Sequence, residues 1–217
     1  MATLKKNSAY YRRIADTVSS TGREMRLGLQ LLNSVKQPIV TVFGSHLVSS
    51  KSRYFGQARH LGQELGRHGK AILTGGGPGI MEAANAGAYD VGAVSIGMRV
   101  KLLKREKVNR NIYSHLISFR FFLVRRFIMS IKSEAMVFYP GGYGTLNELF
   151  EYLVLMQNGI VDRVPIVLVN RKYWMGMWNW VEKKIVAEKL LTNHKHDLKL
   201  VQFADTVGET LTLLKNV

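Results

Sequence analysis

The sequence contains no cysteine, so disulfides and thiolate sites are excluded, although that absence does not fix the compartment. No run approaches the roughly 18 uncharged apolar residues of a spanning helix, so no membrane partner is expected. The opening Met1-Ala2-Thr3-Leu4-Lys5-Lys6 is basic, but no apolar core or small-residue cleavage site follows it. No secretion signal is expected, and the cytoplasm is the default. Acidic residues are scarce, 15 against 31 lysines and arginines, for a formal net charge of +16. Such a balance attracts polyanions or anionic substrates, or is simply a solvated basic surface. The cations are dispersed and not interleaved with stacking aromatics, so nucleic acid is an alternative partner and not the favoured one.

Hydrophobic residues make up 47% and charged residues 21%, the balance of a globular chain. A chain of 217 residues is within the range of one α/β domain and can bury roughly 70% of its unfolded surface. From Leu4 to Val35 it is polar and basic with a loose helical period, which suggests one or two helices packing outside the core. This arm, residues 1–37, ends at Pro38, and residues 38–217 form the main domain. Ile39–Phe43 is an apolar run closed by Gly44-Ser45, hence a buried strand and a turn. The pattern then recurs. Helices are expected at Tyr54–Arg67, Ile80–Asp90, Phe119–Lys132, Thr145–Asn158, Trp174–Lys189 and Thr206–Lys215. Strands are expected at Ala71–Thr74, Ala93–Gly97, Ala135–Tyr139, Pro165–Val169 and Leu198–Val201, with a basic loop over 101–113. Alternating strands and helices imply a Rossmann-like three-layer α/β fold with a mainly parallel sheet, covered on both faces.

Three strand ends carry small residues: Gly44-Ser45, Gly75 to Gly79, and Gly141 to Thr145. Ligands of open parallel sheets bind beyond the carboxyl ends of the strands. Glycine lets the backbone approach an anion, and the helix that follows directs free N–H groups at it. Neither turn is a common nucleotide motif. Gly-x-x-x-x-Gly-Lys-Ser/Thr is absent, and the third glycine of Gly-x-Gly-x-x-Gly is replaced by Ile80 in one turn and Asn147 in the other. Triphosphate hydrolysis by the usual machinery and dinucleotide oxidoreduction are therefore unsupported.

Gly76-Gly77-Pro78-Gly79-Ile80-Met81-Glu82-Ala83-Ala84-Asn85 and Pro140-Gly141-Gly142-Tyr143-Gly144-Thr145-Leu146-Asn147-Glu148 resemble the two signatures of the LOG family, long mislabelled as lysine decarboxylases. The first motif, with Phe43-Gly44-Ser45 and Tyr173-Trp174, is similar to the bacterial branch, and the resemblance covers about residues 38 to 180. It implies a Rossmann-like fold, a homodimer, no cofactor, and phosphoribohydrolysis of a nucleoside 5′-monophosphate such as AMP or N6-modified AMP, cytokinin precursors included. It also implies that Arg125 and Glu148 are catalytic. The substrate and its phosphate would be held by Ser45, Gly76, Gly77, Gly79, Glu82, Arg126, Gly141, Gly142, Gly144 and Thr145. The family's Arg-Lys pair here reads Arg125-Arg126, which keeps the cation but changes its hydrogen bonding.

Simpler readings stand beside these. Thr145-x-x-Glu148 is also a capping box, Glu82 can cap its helix, and Arg125 can be a structural ion-pair partner. A charged pair inside an apolar helix is costly unless it is paired or faces a ligand. His194-Lys195-His196 has no further ligand nearby in sequence and reads as a solvated loop, so no metal is expected. The stripe Trp174, Met177, Trp178 and Val181 reads as helix core, with a dimer surface as the alternative for part of it. A nucleotide carrier on the same fold is the rival function. Lysine decarboxylation is rejected, because no lysine lies in a recognisable cofactor context.

Overall fold

Short apolar runs become strands here because each is too brief for a helix and ends at glycine or a polar residue. The computed structural model describes residues 14–101, 109–191 and 193–215. The strands are β1 (Ile39–Phe43), β2 (Ala71–Thr74), β3 (Ser95–Val100), β4 (His115–Phe119), β5 (Ser133–Phe138), β6 (Ile166–Val169) and β7 (Val201–Ala204). They form one seven-stranded sheet in the order β4-β3-β2-β1-β5-β6-β7, parallel throughout.

Alternate strand residues point to opposite faces, and both faces are buried. Ile39, Phe43, Met136, Phe138, Ile166 and Leu168 join one core, and Val40, Val42, Ala135, Val137, Val167 and Val169 the other. The first core is covered by α1 (Ile14–Ser34), α4 (Phe122–Ile131), α5 (Tyr143–Gln157) and α6 (Arg171–Trp180), and the second by α2 (Arg53–Arg67), α3 (Ile80–Asp90) and α8 (Val207–Leu213). A short α7 (His194–Asp197) precedes β7. The result is the three-layer architecture expected from the sequence.

The details differ at four places. The N-terminal helix does not pack outside the core: Leu32 is fully buried in it, and Gly28 lies close against Ile128 and Phe119. Residues 1–13 of the expected arm lie outside the described residues. β4 was not expected. His115 and Ser118 interrupt its apolar run, as suits an edge strand paired only with β3. The helix expected from Phe119 therefore begins at Phe122. The Trp174–Lys189 helix begins earlier, at Arg171, and passes into a π-helical turn over Val181–Ile185. The last strand falls at Val201–Ala204 rather than at Leu198–Val201. The stripe is buried: Trp174 and Trp178 of α6 join the core with Met177 packed against it, and Val181, at the start of the π-helical turn, is buried too.

α2 and α3 approach so closely that glycine is required at the contact. A Cβ on Gly87 would overlap the Arg59 carbonyl, and one on Gly62 the Ala84 carbonyl. Backbone atoms cannot yield as a flexible side chain can. Gly87→Ala should therefore lower stability by about 1–3 kcal/mol through overpacking, although alanine is intrinsically the better helix former by roughly 1 kcal/mol. Denaturant unfolding checks this, and a variant as stable as the parent would show that the two helices can separate at no cost.

Candidate active site

The strand order reverses direction at β1. β1 to β4 step outward on one side, and β5 to β7 on the other. Such a reversal opens a crevice beyond the carboxyl ends of the central strands. All three small-residue turns project there, the one after β1 lying between those after β2 and β5. They surround a cavity of about 430 Å³ whose lining includes Ser45, Gly77, Arg99, Arg125, Gly142, Gly144, Thr145 and Glu148.

The charged centre comes from two helices on one face of the sheet. α4 belongs to the return from edge strand β4 to β5, which must cross beneath β3, β2 and β1. Its N-terminus has no side-chain cap of its own. Glu24, buried on α1, instead holds the approach to the helix by accepting from the N–H groups of Arg120 at 2.8 Å and the N-cap Phe121 at 3.3 Å. One turn later Arg125 donates from Nη2 to Glu148 Oε1 at 2.7 Å and from Nη1 to the Met98 carbonyl at 3.4 Å. The pair's side chains are 9% and 12% exposed, and the Arg125 Nε–H is buried without a hydrogen-bond partner. Burial raises the Glu148 carboxyl above its ordinary value, against the opposing pull of Arg125 and then Arg126.

The first turn is fixed from below. Asn85, fully buried, accepts from the Thr74 hydroxyl and donates to Ser95 Oγ at 2.8 Å and the Ile96 carbonyl at 3.2 Å. The Thr74 hydroxyl in turn accepts from the Gly76 N–H at 3.0 Å. Gly79 has φ +71°, a left-handed conformation suited to glycine, and its missing Cβ leaves room for the Ser45 and His46 carbonyls. The Ile80 N–H donates to the Ser45 carbonyl at 3.2 Å, so one N–H at the start of α3, which has no side-chain cap, is already engaged by the neighbouring turn.

The second turn is different. α5 begins at Tyr143 with Gly142 as N-cap, no side chain caps it, and Gly142, Tyr143 and Gly144 are exposed to the cavity. Gly141 carries no Cβ because one would overlap Thr145, and its carbonyl accepts from the Tyr173 hydroxyl at 2.5 Å. Thr145 is thus inside the helix rather than at its cap, and Glu148 faces Arg125 rather than the helix start. The capping-box reading of Thr145 and Glu148 does not describe this geometry.

A family model described as "Possible lysine decarboxylase" matches residues 81–214. The chain is 28% identical to the cytokinin riboside 5′-monophosphate phosphoribohydrolase LOG4 of Arabidopsis thaliana, over 88% of this chain and 88% of that one. It is 30% identical to LOG3 of the same plant, over 67% of this chain and 68% of the relative. The chain belongs to the LOG family. The fold is also that of the molybdenum cofactor binding protein of Rippkaea orientalis, with TM-score 0.61 and 22% identity over 84% of this chain and 98% of that one.

In this LOG-family chain the motif residues separate into two groups. Ser45, Gly77, Arg125, Gly142, Gly144, Thr145 and Glu148 meet at the cavity. Gly76, Gly79 and Gly141 shape the turns behind it. Arg126 turns away and pairs with Glu151, because successive helical residues point about 100° apart. Glu82 is half-buried in the first turn of α3, outside the cavity lining, and the N-cap Gly79 receives no side-chain hydrogen bond. Arg99 and Phe122 also line the cavity but lie outside the motifs, and Met81, within the first motif, lines it as well. The strand-end rule that singled out the glycines would have found Arg99 at the end of β3. Among the described residues no three metal-ligating side chains cluster, and the side chains of His194 and Lys195 lie outside them.

Removing Arg125 would leave Glu148 buried and alone. Arg125→Leu should cost on the order of 3 kcal/mol at neutral pH. The orphaned carboxyl's folded pKa would rise further above its unfolded value. Its contribution to stability is then most favourable below the unfolded pKa and declines as pH rises toward the folded pKa. The stability gap to the parent should therefore widen between pH 5 and pH 7.5 in denaturant unfolding, and a gap independent of pH would contradict this.

Proposed function

We propose that the chain hydrolyses the N-glycosidic bond of a nucleoside 5′-monophosphate, releasing free base and ribose 5-phosphate. The observation that carries this reading is the buried Arg125–Glu148 pair in a cavity beside the uncapped start of α5. The relatives' names, which specify phosphoribohydrolases, support it.

The phosphate would bind the N–H groups of Gly142 to Thr145, where the helix dipole favours an anion. That anchor would hold the ribose over Glu148, one turn further along α5. Breaking the bond from C1′ to the base leaves a sugar with oxocarbenium character. The Glu148 carboxylate is suited to stabilise that charge and to accept a proton from the attacking water. The water oxygen bonds to C1′, the bonding pair leaves with the base, and one proton returns to the base nitrogen. One water is consumed. Arg125 would orient the carboxylate and favour its ionised form. A "lysine decarboxylase" reading finds no support in this constellation, whose described lining residues include no lysine.

We further propose a homodimer, supported by the apolar side chains that α4 and α5 leave in solvent: Leu123, Phe127, Phe150 and Val154. A monomer in sedimentation at micromolar concentration would contradict that part.

The protein should release adenine from AMP and leave adenosine intact, since a site built for phosphate can discriminate by about ten-thousandfold. Because the raised carboxyl must be ionised to act, kcat/KM for AMP should climb with pH through a value above the ordinary 4.5 of glutamate. Glu148→Ala should lower turnover at least about a hundredfold while the protein stays folded. Chromatography of the products checks all three. Equal efficiency on AMP and adenosine would sink the phosphate anchor, and binding of AMP with no adenine released would favour a nucleotide carrier.

A further inference from the structure

We propose that Arg126 and Glu151 are a positioning pair for the site: Arg126 engages Glu151 so that Arg125 is left to Glu148 alone, and neither outer group touches the substrate. This rests on the hydrolase reading given above.

The first support is spacing. Glu148 and Glu151 stand three residues apart on α5 and so share a face of the helix. Arg125 and Arg126 are consecutive on α4 and diverge by about 100°. Each carboxylate has its own arginine. Arg125 Nη2 meets Glu148 Oε1 at 2.7 Å, and Arg126 Nε meets Glu151 Oε2. Two carboxylates one turn apart compete for a cation between them. Without Arg126, Glu151 would compete with Glu148 for Arg125 and would repel its charge.

The second support is placement. The side chains of the inner pair are 9% and 12% exposed, and those of the outer pair 21% and 22%. The outer charges are therefore mostly out of water and act on Glu148 with little screening. Neither Arg126 nor Glu151 belongs to the described cavity lining, which separates them from substrate contact. Tyr152, fully buried on α5, donates its hydroxyl to the Arg126 carbonyl at 3.4 Å and ties the two helices together at this level.

The third support is electrostatic. Burial raises the Glu148 carboxyl, Arg125 and then Arg126 pull it down, and Glu151 pushes it up. The other charged or titratable groups around it are Tyr152 on α5, and His46, Arg99 and Tyr143 on the cavity wall. The outer pair thus acts on Glu148 with two opposite signs from one place. Removing the cation should move Glu148 ionisation to higher pH, and removing the anion should move it to lower pH. Removing both should nearly cancel. A purely structural pair has no such signature, because loss of either partner loosens the same contact.

The test follows the acid limb of kcat/KM for AMP in the parent protein, Arg126→Gln, Glu151→Gln, the double variant and Arg126→Lys. Because the pair is partly exposed, each variant should stay folded. The substrate's own phosphate ionisation is common to all of them and cannot move the limb from one to another. Arg126→Gln should shift the limb up by about half a pH unit or more, and Glu151→Gln should shift it down by a similar amount. The double variant should fall back toward the parent, and Arg126→Lys, which keeps the charge, should stay with it. Limbs that do not move, or that move the same way in both single variants, would overturn the pair's role. If no nucleotide is cleaved, the hydrolase reading falls. The Glu148 titration is then read from its carbon-13 carboxyl resonance, assigned with Glu148→Gln. Opposite displacements there would uphold the pair, and a midpoint common to all variants would overturn it.

Discussion

An arginine and a glutamate held at 2.7 Å with some nine-tenths of each side chain out of water are costly to keep. Their mutual attraction offsets desolvation only if the geometry is held firmly, so the elements carrying them must be fixed. α4 is fixed by the long return from β4 to β5 and by Glu24, which satisfies two backbone N–H groups just before it. α5 is fixed by β5 beneath it and by Tyr152 and Met156, buried in the core beside Phe43. The first helix is thus part of the support for Arg125 rather than an appendage. The sheet supplies the remaining constraint, because the reversal at β1 is what brings the turn after β5 beside that after β1.

The two glycine motifs look alike in sequence yet do different physical jobs. The first is a packing device. Asn85 and Thr74 fix its backbone, Gly79 admits the turn after β1, and Gly76 admits an arginine stem. The second leaves backbone donors facing an open cavity, with Gly141 making room for Thr145. Under the proposed function, a single-ended anion site would give a bound nucleotide a direction, with its phosphate at the start of α5.

Strands buried on both faces were legible because each reads as an unbroken apolar run, as in Ile39–Phe43, whose bounds matched. Ile80–Asp90 was equally clear, framed by Gly79 before it and Gly92 after it. β4 was not legible, since an edge strand tolerates His115 and Ser118, and this pattern resembles a loop. Proximity of Arg125 and Glu148 could be expected from motifs but not from periodicity, because the two lie on separate helices 23 residues apart. The opposite fates of Arg125 and Arg126 depend on which face of α4 meets α5, and the motif treats the two as one pair. A single cation such as Arg99 has no periodicity or motif around it, and only its place at the end of β3 points to the cavity.

The central claim is that the cavity holds a nucleotide with its phosphate on the start of α5 and C1′ at Glu148. The most direct measurement is a crystal structure of Glu148→Gln, which should bind substrate without consuming it, in complex with AMP. The account predicts phosphate oxygens within hydrogen-bonding distance of the Gly142 to Thr145 amides, and C1′ facing residue 148 across from Arg125. A phosphate seated instead at the start of α3, or a nucleotide bound outside the cavity, would contradict it.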